Sequence, residues 1–220
     1  PCPDVECELA GNIGTRRITR IMSPCIVRED ASLAAGDTLT LDAGVVLKFV
    51  VSTDWNDDRD LRVEGEILAN GTPEQPVILT SMRDDTAGGD INDDDDVELI
   101  PAPGDWGQIT LTGRAHGRLS NVEIRYGGGD NDGRCCAAQR AAAATLNINL
   151  EMAPTLEKIS VMHSQARGAL INVTGGFLWS IQDGVFNSNS GHGLEITGDR
   201  APVALSGIEC SQNGQNGLVI

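Results

Sequence analysis

The chain has 220 residues, with 16 basic against 32 acidic side chains and a formal net charge of −16. This balance argues against binding to nucleic acid or to anionic membrane surfaces, and no stretch of 18 apolar residues is present to span a membrane. Glycine is frequent, at 26 residues, and aromatic residues make up only 3%, which indicates many tight turns and few platforms for ring stacking.

The first 35 residues are predicted to form an N-terminal cap or first coil. In an oxidising compartment, a disulfide from Cys25 back to Cys2 or Cys7 would fasten this end of the fold. The chain begins at Pro1 rather than Met, which indicates that an upstream segment has been removed. Because six cysteines allow many pairings, the sequence leaves the connectivity open, and free buried thiols in a cytosolic protein are the alternative. The six are Cys2, Cys7, Cys25, Cys135, Cys136 and Cys210.

Short apolar strands separated by turns follow from residue 36 onward. Asn121–Arg125 alternates strictly, which predicts that Val122 and Ile124 face a core while their neighbours face water. Gly-rich or Pro-containing stretches between the apolar runs predict tight turns. The other strands predicted in the front half are Thr38–Leu41, Val45–Phe49, Glu66–Ala69, Val77–Thr80 and Ile109–Leu111.

The C-terminal third of the chain repeats itself. Residues 189–193 are echoed 24 residues later by residues 213–217, with Asn and Gly at matching places. This period, with short alternating strands and Gly/Asn turns, is typical of a β-solenoid. Equivalent inward residues should then form columns, one of them containing Val161, Phe186 and Cys210. Cys210 is therefore interpreted as a small apolar core residue.

Several segments resemble secreted bacterial proteins built of right-handed parallel β-helix repeats. The resemblance rests on residues 44–49, 63–81, 101–109 and 119–128, where the stretches GTPEQPVILTS and PGDWG are the most specific. It covers residues 36–220 and implies one continuous, all-β, right-handed parallel β-helix of roughly eight or nine rungs of about 24 residues each. It also implies a secreted or cell-surface location in a bacterium, but no particular activity. The chain ends inside an apparent strand, so its C-terminal end is expected to be truncated.

The strongest local signal for chemistry is the stretch from residue 84 to residue 98, which holds eight acids and no base. Like charges packed this densely need water or a cation to compensate them. Asn92 and three aspartates are spaced two apart, like the oxygen ligands that open many calcium loops, although the Gly and Glu of an EF-hand are missing. The sequence predicts Ca²⁺ here, and a solvated acidic loop is the alternative. The predicted ligands are Asp84, Asp85, Asp90, Asn92, Asp94 and Asp96.

Two further loops are expected to project sideways from the coil. One is acidic, with Asp54, Asn56 and Asp58 in alternation, and is interpreted as solvated because Arg59 and Arg62 can neutralise part of its charge. The other follows Gly-rich residues 127–129 and is rich in Cys and Ala.

The sequence offers no convincing catalytic group. Residues 191–193 are similar to the Gly-His-Gly of polygalacturonases, but the paired carboxylates that an inverting glycosidase needs are absent around His192. A lyase would need clustered carboxylates and a base. The candidate acids Asp183, Glu195 and Glu209 are scattered along the sequence, as are the candidate bases Arg125 and Arg167.

The function predicted from these features is that of a non-catalytic, extracellular or cell-surface structural or adhesive protein with calcium-stabilised loops. Its partners would be further copies of itself, stacked end to end, or a cell-surface glycan, with no nucleic acid and no membrane span. The alternative is a lyase or glycoside hydrolase acting on acidic polysaccharide, which clustered Asp with Arg or Lys on one face of the coil would favour.

Overall fold

A computed structural model describes residues 7–51, 59–92, 100–129, 143–173, 178–198 and 202–220. Within these ranges the protein is all-β, with one 18-stranded sheet and one short 3-10 turn, Arg20–Met22. None of the described residues forms a helix long and apolar enough to cross a membrane. The strands are β1 (Glu8–Asn12), β2 (Arg16–Ile18), β3 (Cys25–Leu33), β4 (Thr38–Leu41), β5 (Val46–Phe49), β6 (Leu61–Val63), β7 (Glu66–Asn70), β8 (Val77–Ser81), β9 (Ile109–Gly113), β10 (His116–Arg125), β11 (Ala144–Leu150), β12 (Thr155–Met162), β13 (Arg167–Val173), β14 (Trp179–Gln182), β15 (Val185–Asn187), β16 (Leu194–Thr197), β17 (Val203–Ser206) and β18 (Leu218–Val219).

The strands pair in parallel and form three ladders. The first ladder contains β1, the start of β3, then β5, β8, the ends of β10 and β12, and β15. The second contains the end of β3, then β6, β9, β11, β13, β16 and β18. The third contains β2, β4, β7, the starts of β10 and β12, β14 and β17. The chain visits the three ladders in turn and then returns to the first, a topology compatible with a β-solenoid.

The core consists of columns of apolar side chains, one for each inward position of a ladder. The alternation predicted for the end of β10 is confirmed, because Val122 and Ile124 are buried and their neighbours are partly exposed. The predicted pairing of Val161 with Phe186 is also confirmed. As far as β16, each ladder thereby buries one face of its strands. Paired, buried residues include Cys25, Leu47, Leu79, Ile124, Val161 and Phe186 in the first ladder, and Leu33, Val63, Leu111, Ile148, Ile171 and Ile196 in the second.

Two sharp corners recur at equivalent places in successive passes of the chain. Each is made by one residue with a left-handed backbone, a conformation that turns the chain abruptly and is uncommon for residues other than glycine. At the corner before the first ladder these residues are Asn121, Lys158, Asp183 and Gly207, with φ from 50° to 63°; after that ladder they are Tyr126, His163, Ser188 and Gln212, with φ from 55° to 64°.

The Asn/Gly repeat of the sequence corresponds to a buried stack of side-chain amides. Asn189 donates from Nδ2 to the Val161 carbonyl (3.2 Å) and to Asn213 Oδ1 (3.1 Å), and its own Oδ1 accepts from Ser164 N (3.0 Å). A Cβ at Gly168 would lie 2.6 Å from Asn189 Nδ2 and 2.6 Å from the Gly193 oxygen. The 24-residue period therefore pairs an amide in one pass with a glycine in the pass beside it.

A disulfide joins the first two passes through the first ladder. Cys7 and Cys25 are bonded across neighbouring strands, where Glu8 is paired with Ile26. Of the two partners expected for Cys25, the structure has Cys7. Cys2, Cys135 and Cys136 lie outside the described residues, and Cys210 is a free, half-buried thiol packed against the core.

Candidate functional site

The long loops of the protein leave from the same corner, where the chain passes from the first to the second ladder. We call it the loop corner, and it comprises the connections 50–60, 82–108 and 126–143, which join β5 to β6, β8 to β9 and β10 to β11. The later connections at this corner are short, with only residues 163–166 between β12 and β13. Residues 52–58, 93–99 and 130–142 lie outside the described residues. The three connections that carry both acidic loops and the Cys/Ala-rich segment therefore all start from one edge of the first ladder.

Lys48 is the cation at the base of this corner. It sits at an outward position of β5, yet its side chain is completely buried, because the connection after β8 folds back over it. Its ammonium group donates to the Gly89 carbonyl and lies 3.7 Å from Asp85 Oδ1. Burying a charge is costly unless it is paired and hydrogen-bonded, and both conditions are met here.

Asp84 is the matching buried anion. Its Oδ2 accepts from Thr80 Oγ1 (2.7 Å) and from Arg125 Nη1 (3.3 Å), and its Oδ1 accepts from Thr86 Oγ1. Arg125 in turn bonds Glu123, its neighbour on the same face of β10. The side chain of Asp84 is fully buried. One carboxylate thus connects β8, β10 and the acidic loop.

The electrostatics of this network follow from burial and pairing. Burial alone would raise the pKa of Asp84, but hydrogen bonds from Thr86 and Thr80 and the charge of Arg125 outweigh it and hold that pKa below its ordinary value. Burial lowers the pKa of Lys48 below its ordinary value, against the opposing charges of Asp85, Asp84 and Asp90. The three carboxylates therefore act together on one buried ammonium group.

The predicted calcium ligands divide into three groups in the structure. Asp84 and Asp85 have protein cations as partners, Arg125 and Lys48 respectively. Asp90 accepts at Oδ1 from the backbone N–H of Asn92 (3.2 Å), which closes a tight turn in the loop. Asp94 and Asp96 lie outside the described residues, as do Asp54, Asn56 and Asp58 of the second acidic loop. No group of three or more His, Cys, Asp or Glu side chains in the described part of the chain is arranged to hold a metal ion.

A second buried carboxylate fixes the far end of the same connection. Asp105 accepts from Ser81 Oγ (2.6 Å), from the backbone N–H of Ala102 (3.0 Å) and from Arg83 (3.0 Å). The next residue, Trp106, stacks on Phe49 with ring centroids 4.1 Å apart and donates from Nε1 to the Arg125 carbonyl (2.8 Å). The PGDWG stretch therefore closes the connection against the coil before β9 begins.

The three histidines of the chain all contact residues of a neighbouring pass. His192 Nδ1 accepts from the backbone N–H of Asn216 (3.1 Å) in the next pass. His163 stacks on Tyr126 with ring centroids 5.2 Å apart, and His116 Nε2 lies 3.6 Å from Glu66. Each contact joins neighbouring passes of the chain.

The groups considered for a lyase are not gathered into one site. Arg125 belongs to the Asp84 network, whereas Arg167 pairs with Glu195 on the second ladder. Glu209 accepts from Asn187 Nδ2 (3.0 Å), and Asp183 forms a corner of the backbone. The candidate bases are thus held by carboxylates on two different ladders.

Sequence reasoning did not identify Lys48, Arg83 or Asp105 as parts of the loop corner. A lysine at an outward strand position normally faces water, so its pattern gives no sign of burial. The sequence contains one indication that the connection between β8 and β9 is unusual: a dense run of acids is followed there by PGDWG. The chain matches no protein-family model, no curated protein and no solved structure.

Proposed function

We propose that this chain is a right-handed parallel β-helix that acts outside the cell as a non-catalytic structural or adhesive element, with Ca²⁺ stiffening its acidic loops. The first ladder supports a coil of eight or nine rungs. It runs through seven strands, and Glu209, which bridges to Val185, adds an eighth position. The seven strands are β1, β3, β5, β8, β10, β12 and β15. Backbone pairing along three ladders makes such a coil stiff, as a spacer requires.

The observation that carries the non-catalytic proposal is how the charged groups at the loop corner are used. Lys48, Asp84 and Asp105 are buried charged side chains there, and they form ion pairs with Asp85, Arg125 and Arg83 respectively. A catalytic acid or base must reach a substrate proton, whereas these groups tie the loop to the coil. Their arrangement supports an anchoring role.

An extracellular location is supported by the Cys7–Cys25 disulfide, since such bonds persist mainly in oxidising compartments. The strongly acidic surface, with its net charge of −16, suits a protein that meets divalent cations. We place the calcium on the alternating residues Asp90, Asn92, Asp94 and Asp96, where oxygen ligands are spaced as in many calcium loops. Asp84 and Asp85 then hold the loop on the coil through Arg125 and Lys48.

The proposal is tested by light scattering and negative-stain imaging of the 220-residue chain with calcium and with a chelator. We expect stiff rods, or end-to-end oligomers of them, whose assembly or thermal stability requires calcium. A monodisperse globular particle that is indifferent to calcium would contradict both the assembly and the metal. Cleavage of polygalacturonate by the purified chain would contradict the non-catalytic role.

A further inference from the structure

The second ladder presents a flat outer surface over four consecutive strands. In β9, in β11 from Leu146, in β13 from Ala169 and in β16, the inward residues are buried, and the residues between them are partly or fully exposed. The pairing across these strands has no shift in register from Leu146 to Leu150 or from Ala169 to Asn172. We call this surface the neutral face, and its outward residues are Thr110, Thr112, Asn147, Asn149, Leu170, Asn172, Glu195 and Thr197.

The neutral face carries no net charge in a protein whose formal net charge is −16. Seven of its eight side chains are uncharged, and the charge of Glu195 is compensated by its ion pair with Arg167. At the β6 edge the next outward residues, Arg62 and Glu64, also pair with each other, at 2.8 Å. Glu151 follows β11 only after the strand has ended. An acidic protein therefore has one strip on which neither anions nor cations are favoured.

The side chains on this strip form a regular array of hydrogen-bonding groups. Neighbouring strands lie about 4.8 Å apart, and outward residues of one strand recur about every 6.6 Å. The amides are already aligned with each other, since Asn172 Nδ2 donates to Asn149 Oδ1 (3.1 Å). Each Asn amide offers both donors and acceptors, and each Thr hydroxyl offers both as well. Leu170 places a partly exposed apolar side chain among these polar groups.

We propose that the neutral face binds an uncharged polysaccharide, with the sugar chain running across the strands of the second ladder. Paired donors and acceptors match sugar hydroxyls, and Leu170 offers a contact for the C–H face of a sugar ring. Because the side chains stand on a rigid parallel sheet, little ordering is required on binding. Repeated weak contacts along a polymer add by multivalency. This inference deepens the adhesive part of the proposed function and rests on it.

Affinity electrophoresis of the complete chain tests the proposal, with hydroxyethyl cellulose or soluble xylan in the gel as neutral probes and polygalacturonate as the anionic probe. We expect retardation by at least one neutral polymer and none by polygalacturonate. Asn149→Ala with Asn172→Ala should raise the dissociation constant about tenfold, because each neutral hydrogen bond contributes roughly a few-fold. The matched control is Thr155→Ala with Gln182→Ala, on exposed positions of the third ladder, and should bind as the parent does.

Two further measurements keep the test decisive. Thermal melting of each variant checks that the coil is intact. Asn172→Asp, which adds a charge and removes the amide donor at nearly constant size, should weaken binding to the neutral polymer even if the double variant proves unstable. The proposal is overturned if no neutral polymer retards the chain, if polygalacturonate alone does, or if both double variants bind equally. If the glycan proposal fails but melting of the parent chain still depends on calcium, the proposed structural role remains and only the glycan partner is rejected.

Discussion

At the scale of single residues, Lys48 shows how a long connection can overrule a local pattern. Its position in β5 alternates with buried Leu47 and Phe49, which predicts a side chain in water. The structure buries it completely, because residues 84–89 cover the outer face of the first ladder at that point. The sequence could show the strand and the acids, but the contact depends on residues about 40 positions apart and has no local signature.

Replacing this ammonium group tests whether it anchors the acidic loop. Lys48→Met should lower the free energy of unfolding by about 1–3 kcal/mol, a range reduced because Asp85 is partly exposed to water. Urea unfolding provides the measurement. Lys158→Met is the matched control, since Lys158 is the only other lysine and is exposed; it should change stability little. Equal effects of the two substitutions would refute the anchoring role.

Asp84 predicts a defined dependence of stability on pH. Its pKa in the folded state is below its ordinary value because hydrogen bonds and Arg125 outweigh burial. Its contribution is therefore complete above the unfolded-state pKa of about 3.9 and is lost as the pH falls through the lower folded-state pKa. Asp84→Asn should cost about 2–4 kcal/mol at neutral pH, because it weakens the pairing of Arg125 with a fully buried side chain.

Urea unfolding of parent and variant at pH 6 and at about pH 3 measures this effect. The stability difference between the two proteins should shrink at the lower pH, because below the unfolded-state pKa the parent takes up a proton at Asp84 when it unfolds. Glu74→Gln, an exposed change of the same charge, should leave the parent's profile intact. A difference that stays constant across the acid range would show that Asp84 is not held ionised as described.

At the scale of elements, the turns of the last passes depend on side-chain amides as much as on backbone pairing. Asn189 is almost fully buried and bonds the Val161 carbonyl, Ser164 N and the amide of Asn213. The sequence repeat predicted a turn at both asparagines. It could not show that the amides point inward and that the glycines of the preceding pass make room for them, since that follows from stacking one pass on another.

Asn189→Ala should lower the free energy of unfolding by about 2–3 kcal/mol, because it leaves a buried carbonyl and a buried N–H without their bonds. Thermal and urea unfolding measure the loss. Asn216→Ala supplies the control at an exposed position of a repeat turn, where only the backbone N–H bonds His192. A loss for Asn216→Ala as large as for Asn189→Ala would mean that turn propensity, and not the buried stack, is what the repeat preserves.

The strands could be predicted from the sequence where apolar and polar residues alternate strictly. Thr38–Leu41 is a strand with the predicted bounds, and the predicted strand 121–125 forms the end of the longer β10. Its first half pairs with β7 in another ladder, so the strand extends beyond its own apolar pattern. The strands of the first 35 residues were missed, because β3 carries the exposed charges Arg28, Glu29 and Asp30 at its middle, where it leaves one ladder for the next.

At the scale of the whole molecule, the three ladders form the body of the described protein, and the long connections leave it at the loop corner. The inward columns and the Cys7–Cys25 bond hold the body together. The excess of acids over bases must be balanced by solvent ions or by a bound cation at the acidic loop. We propose that calcium at that loop both compensates part of the negative charge and stiffens the loop.

Hydrogen–deuterium exchange with calcium and with a chelator tests that account most directly. Amides in the ladders should be strongly protected in both conditions, because each is bonded within the stacked coil. Amides in peptides covering residues 84–98 should gain protection only when calcium is present, and Asp90→Asn should abolish the gain while leaving the ladders unchanged. Exchange at residues 84–98 that is identical with calcium and with chelator, or rapid exchange throughout the ladders, would contradict a calcium-stiffened coil.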